Sequence, residues 1–125
     1  YSFMITRGDL LRVAVSMMKD YQQKTCVGNY LRDIQKQAKS WPKYRPSKKN
    51  ASLYLHNYAK KYGGKFYFKY HEMEDRNIMA TEGYNGQNIM IDMDNSKIVV
   101  TQSAATAWDQ RTFILNVIRH GKLPK

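Results

Sequence analysis

The passage from Met79 to Ser103, MATEGYNGQNIMIDMDNSKIVVTQS, constrains this chain more than any other. Two short apolar runs, Asn88-Ile89-Met90-Ile91 and Lys97-Ile98-Val99-Val100-Thr101, flank Asp92-Met93-Asp94-Asn95-Ser96. β-Branched residues suit a pleated, half-buried surface, and Asp, Asn and Ser turn the backbone through their side chains, so the passage predicts a β-hairpin. Upstream lies Gly83-Tyr84-Asn85-Gly86-Gln87, with two glycines three positions apart at a strand edge. Glycine there marks a sharp bend or a point where another group approaches the backbone closely. The alternative is an ordinary turn between two structural strands. The hairpin is expected at the centre of an antiparallel sheet.

A chain of 125 residues amounts to a single domain or a domain fragment with a modest core. At 42% hydrophobic and 13% aromatic residues, a disordered composition is excluded. No apolar run reaches the roughly 18 to 20 residues that cross a bilayer. The chain starts at Tyr1 rather than Met, so a processed or truncated product is expected, and the lack of a leader is uninformative. Cys26 is the one cysteine, which excludes an internal disulfide and any CxxC motif. His56, His71 and His120 are scattered. Only His71 beside Glu72 and Glu74 approaches a metal-ligand grouping, and a solvated turn is the alternative reading. Neither a metal nor a cofactor is expected.

The net charge of +11 is uneven. From Lys19 to Lys69 there are thirteen Lys/Arg against two acids, whereas from Tyr70 to Lys125 there are six against seven. The positive field therefore belongs to the middle of the chain, as for a polyanion partner or a solvated face.

In chain order, residues 1–39 read as helical after the apolar lead-in Tyr1-Ser2-Phe3-Met4-Ile5. Thr6-Arg7-Gly8-Asp9 looks like a capped helix start. Leu10, Leu11, Val13, Ala14, Met17 and Met18 follow at helical spacing as far as about Asp20. A second helix is expected from Gly28 or Asn29 to Ala38, with Tyr30, Leu31 and Ile34 turned inward. Residues 40–50, SWPKYRPSKKN, form a basic connector, where Trp41 and Tyr44 either stack on single-stranded nucleic acid or pin the loop to the body. A third helix is predicted over 51–62, stopped by Gly63-Gly64. Antiparallel strands are expected over 65–102, beginning with Lys65-Phe66-Tyr67-Phe68-Lys69-Tyr70. Residues 104–120 close the chain as a helix, with Trp108, Phe113, Ile114, Val117 and Ile118 on one face and Gly121 at its end. The class is α+β, an antiparallel sheet with helices packed on it; the connections are too short for parallel crossovers.

Ser16-Met17-Met18-Lys19 spells S-x-x-K, which sets a hydroxyl and an amine one helical turn apart so that the amine can take the hydroxyl proton. Such a nucleophile belongs at a helix start, where backbone donors stabilise an oxyanion, and Ser16 falls deep inside the first helix. Ser16 and Lys19 are candidates by spelling rather than by placement, and the catalytic residues are otherwise unknown.

Three passages carry a family resemblance. Ala80-Thr81-Glu82-Gly83-Tyr84-Asn85-Gly86-Gln87, continued through Ser103, resembles the closing strands of the β-lactamase-related serine hydrolases: class C β-lactamases, D-alanyl-D-alanine carboxypeptidases, esterases and 6-aminohexanoate-dimer hydrolases. There a G-x-G-G-Q passage, a strand, an acidic turn and a valine-rich strand precede a final helix. Thr6 to Ala14 is similar to the family's T-x-x-D-L-x-R helix start, and Tyr62 to Phe68 to its Y-G-x-G-aromatic strand. The resemblance implies the carboxy-terminal part of the β-lactamase-like α/β domain, acting with an amino-terminal portion that holds the nucleophilic serine, its lysine and the catalytic tyrosine. It also implies an extracytoplasmic location and a small amide or ester substrate. By position, Gly83, Tyr84, Asn85 and Gly86 would border the cleft, near a backbone N–H of the oxyanion hole. The family strand carries Lys-Thr-Gly or a His-x-Gly variant, whereas this chain has Thr81-Glu82-Gly83. Glu82 either orients a donor or is a surface acid.

Two further readings stand beside the hydrolase part. One is a small basic nucleic-acid-binding module using Lys36, Lys39, Lys43, Arg45, Lys48, Lys49, Lys60 and Lys61. The other is an interaction domain without catalysis.

Overall fold

The computed structural model describes residues 6–41, 55–71, 73–83, 87–102 and 109–121. Helix α1 (Arg7–Gln23) opens with Thr6 Oγ1 accepting the Asp9 N–H, and Asp9 sits in the positive first turn. It runs on past Asp20 and ends at Lys24, a left-handed residue whose N–H donates to the Asp20 carbonyl. Thr25 caps helix α2 (Cys26–Gln37) at once, accepting the Gly28 N–H. This short link folds the two helices tightly together. A Cβ on Gly28 would lie 1.7 Å from the Asp20 carbonyl oxygen, so the crossing requires glycine. The buried stripe of α2 passes through Gly28 and Leu31, with Ile34 and Gln35 half-buried. Tyr30, expected inward, is one position and about 100° off Leu31, and it stays 66% exposed.

Six strands form an antiparallel meander in sequence order: β1 (Lys39–Ser40), β2 (Ala59–Gly63), β3 (Phe66–Tyr70), β4 (Ile78–Gly83), β5 (Gln87–Asp92) and β6 (Lys97–Thr101). With three helices, α3 (Gln110–His120) being the last, the class is α+β. The predicted third helix is corrected. Residues 51–54 lie outside those described, Leu55–Tyr58 make one 3-10 turn, and Ala59–Gly63 is β2. Gly63-Gly64 leads into a hairpin turn rather than stopping a helix. Gly64 and Lys65 have φ of 57° and 72°, the primed geometry whose twist matches paired strands. Cross-strand pairing of Lys61 with Phe68 and Tyr62 with Tyr67 overrides the helical spacing.

Side chains from the two sheet faces build two cores. Tyr70, Ile78, Ala80, Met90 and Val99 pack with Ile114, Leu115 and Ile118 of α3. On the opposite face, Phe68, Met79, Ile89 and Ile91 pack with Ala14, Tyr21 and Leu31 of α1 and α2. Strand β3 does not alternate strictly: Phe68 serves one core while Tyr67 and Tyr70 serve the other. The break falls at Lys69, whose φ is 61°. Helix α3 is capped by Asp109, which accepts the Thr112 N–H at 2.9 Å, and by Gly121, left-handed at φ 68°. Of its predicted apolar face, Trp108 and residues 104–107 lie outside the described positions.

The β5–β6 turn is built on Asp92, which is fully buried. It accepts Arg76 Nη1 at 2.6 Å and the Asn95 backbone and side-chain N–H groups. Gln22 Nε2 donates to the Met93 carbonyl, which ties the end of α1 to this turn. Lys97 Nζ donates to the Arg119 carbonyl and so complements the negative end of α3. Among the described residues, no helix is long and apolar enough to cross a membrane.

Candidate functional site

Gly83 closes β4 opposite Gln87, the first residue of β5, and Tyr84, Asn85 and Gly86 lie outside the described residues. A Cβ on Gly83 would meet Gln87 Cβ at 3.0 Å, so close approach of the two strands favours glycine here. Ser16 and Lys19 are exposed on α1. That helix packs on the sheet face opposite the one to which Glu82 projects, so the S-x-x-K pair and the bend are not brought together.

Glu82 is not a surface acid. Ile78, Ala80 and Glu82 share one face of β4 by the strand period, and the Glu82 side chain is only 9% exposed. Its Oε1 lies 3.6 Å from His56 Nδ1, contributed by the 3-10 turn. Around this contact stands an aromatic cluster. Tyr67 stacks on His56 at 6.2 Å and meets the Trp41 ring edge-on at 5.2 Å, while Tyr62 lies 4.7 Å from Tyr67. Trp41 Nε1 donates to the His56 carbonyl, which fixes the turn. Of its two expected roles, Trp41 therefore takes that of pinning the chain to the body.

This environment keeps Tyr67 and Tyr70 protonated. Burial, then the Glu82 charge, then Tyr62 raise Tyr67 to about 12. Burial dominates for Tyr70 as well, followed by Glu82 and Tyr67, and raises it well above its ordinary value. Tyr70 Oη and Glu82 Oε2 are buried without a hydrogen-bond partner among the described residues. Next to Glu82 across the β4–β5 ladder, Asn88 donates to Gln110 Oε1 at 3.0 Å and to Thr101 Oγ1 at 3.2 Å. A carboxylate, an imidazole and phenols thus meet directly behind the Gly83 bend, a set able to orient a polar group at the strand end. Alternation from Ile78 was the available signal for Glu82. For His56 no local pattern existed, because its contact spans 26 positions in sequence.

The other expected sites resolve separately. His71 donates its backbone N–H to the Tyr58 carbonyl. Glu74 pairs with Lys60, whose hydrogen bond holds the carboxyl below its usual range. Among the described residues, no three His, Cys, Asp or Glu side chains could hold a metal ion. Lys36, Lys39 and Lys61 are exposed where the end of α2 meets β1 and β2, with Ser40 opposite Lys61. Lys43, Arg45, Lys48 and Lys49 lie outside the described residues. No protein-family model, no curated protein and no solved structure matches the chain.

Proposed function

We propose that the chain is the carboxy-terminal part of a β-lactamase-like serine hydrolase that cleaves amide or ester bonds through an acyl-enzyme and that it forms one wall of the cleft. The observation that carries the reading is the placement of the three resembling passages. They are the capped start of α1, the β2–β3 hairpin and the β4–β5 hairpin, in the family's order. In this reading the serine hydroxyl that attacks the carbonyl carbon belongs to another portion of the polypeptide. Gly83, Tyr84, Asn85 and Gly86 border the substrate, and a backbone N–H there receives the oxyanion. The imidazole that the strand itself lacks comes from His56, which touches Glu82 at the base of the bend. His56 and Glu82 are positioning residues in this account.

The 125-residue chain alone is then expected to leave nitrocefin and p-nitrophenyl esters unhydrolysed, while the longer polypeptide encoded by the same reading frame turns one of them over. Turnover by the isolated chain contradicts the proposal.

A second reading is a basic module that contacts nucleic-acid phosphates, and the exposed grouping of Lys36, Lys39 and Lys61 supports it. Counterion release then requires the logarithm of affinity to fall by roughly 0.9 per phosphate contact for each tenfold rise in salt. Salt-independent binding, or none at low salt, removes it.

A further inference from the structure

A polar pocket of about 350 Å³ opens beside the end of α2, where β2, β3 and β4 meet the β5–β6 turn. A closed ring of hydrogen bonds fixes part of its lining. Tyr21 donates its hydroxyl to Gln35 Oε1 at 2.6 Å, Gln35 Nε2 donates to Asn77 Oδ1 at 2.7 Å, and Asn77 Nδ2 returns to Tyr21 Oη at 3.0 Å. The ring holds Gln35 and Asn77 in one arrangement and leaves a second Gln35 amide proton uncommitted.

Six lining side chains are charged, and three of them are answered within the protein. Arg76 pairs with Asp92 and Asp75, Asp75 also meets Arg119, and Glu74 pairs with Lys60. Three are left. Among the described residues, Lys61 and Lys69 enter no ion pair or side-chain hydrogen bond, and Asp94 receives only the Asn77 amide, at 3.3 Å. Lys61 pairs across the β2–β3 ladder with Phe68, and Lys69 follows Phe68 directly, so two ammonium groups share one wall. Like charges set so close repel. Lys69 also has φ of 61°, a left-handed conformation that its β-carbon disfavours. Residues held in such geometry cluster at ligand sites.

We infer that this pocket binds a small phosphate monoester, with the phosphate between Lys61 and Lys69 and a hydrogen-bond donor of the ligand directed to Asp94. A monoester carries about −1.5 to −2 charges at pH 7, which answers two ammonium groups, whereas a carboxylate answers one. Lysine meets phosphate as a point charge, and the spare Gln35 proton adds a directional donor. An ionised Asp94 can only accept, so it selects a hydroxyl or an amine on the ligand. Glu74, Asp75 and Asp94 keep the ligand compact, because a nucleic-acid strand continuing past the lysines would meet three carboxylates. The pocket stands at the Ile78–Asp92 end of the β4–β5 hairpin, with the Gly83 bend at the other end, and the inference does not depend on the hydrolase reading.

Isothermal titration calorimetry on the 125-residue chain, in low-salt buffer without phosphate, tests the site. Glycerol 3-phosphate and O-phosphoethanolamine are the probes, with inorganic phosphate and a single-stranded oligonucleotide as comparisons. At least one ester is expected to bind with a Kd below about 1 mM, and the preferred ester tells whether Asp94 takes a hydroxyl or an amine. Lys61→Gln and Lys69→Gln, each with unchanged circular dichroism, should weaken the ester about tenfold. Asp94→Asn should weaken the ester while inorganic phosphate binds at least as tightly as before. No binding of either ester up to about 10 mM overturns the inference, as does undiminished binding in both lysine variants. Inorganic phosphate bound as tightly as both esters means an adventitious ion only and overturns it too. An oligonucleotide that binds more tightly than the esters and is weakened by the same lysine variants overturns it in favour of the nucleic-acid reading.

Discussion

His56 Nδ1 lies 3.6 Å from Glu82 Oε1, and this contact joins the 3-10 turn to β4 one residue before the Gly83 bend. His56 is one-third exposed, so solvent screens the pair despite the burial of Glu82. A double-mutant cycle with His56→Ala and Glu82→Gln, read by urea unfolding, is expected to give a coupling of about 0.5 to 1 kcal/mol. Additive single effects contradict a direct contact.

The alkaline limb of stability tests the tyrosine cluster. Tyr67, raised to about 12, and Tyr70, raised well above its ordinary value by burial, stay neutral in the fold while their unfolded counterparts ionise near pH 10. Their contribution is complete below about pH 10 and is lost as pH rises through the folded values. Melting temperature should therefore fall steeply from about pH 10 upward, and the slope should flatten in Tyr67→Phe and Tyr70→Phe. At neutral pH, Tyr70→Phe removes a buried hydroxyl without a partner among the described residues and is expected to stabilise by about 1 kcal/mol. A neutral-pH loss above about 1 kcal/mol means that the hydroxyl has a partner in solution.

Asp92 and Arg76 set the β5–β6 turn. Removing one member of the pair, as in Arg76→Met, leaves a fully buried carboxylate uncompensated and should cost about 3 kcal/mol. Arg76→Met combined with Asp92→Leu should recover part of that loss, although the Asn95 contacts to Asp92 are lost as well. Chemical denaturation of the three variants checks the order.

The α1–α2 link supplies a paired test of opposite sign. Gly28→Ala sets a methyl group into the Asp20 carbonyl and is expected to cost about 3 kcal/mol or to prevent folding. Lys24→Gly, at a φ of 56°, relieves left-handed strain and should stabilise by about 1 kcal/mol. Thermal melts of both variants suffice.

Where spacing alone decides the structure, the sequence was readable. The Thr6 cap, the strand formed by the apolar run Ile89-Met90-Ile91, and the stop at Gly121 are local signals, and each appears where the residues predict it. Ala59 to Gly63 was not readable, because its helical spacing is overridden by pairing with β3 and by a two-residue turn at Gly64-Lys65. Tyr30 misled for a different reason: a stripe as narrow as that of α2 excludes a residue one position away. The site divides likewise. Glu82 follows the inward phase of Ile78 and Ala80, whereas His56 arrives through the tertiary fold, and no residue near it in sequence announces the contact.

Mapping a covalent serine label tests the central claim most directly. The product of the full reading frame that encodes this chain is treated with a fluorophosphonate or a fluorescent penicillin, and the modified residue is located by peptide mass spectrometry. The account predicts one labelled serine outside residues 1–125, with Ser16 unmodified. A label on Ser16, or a full-frame product that takes none, contradicts it.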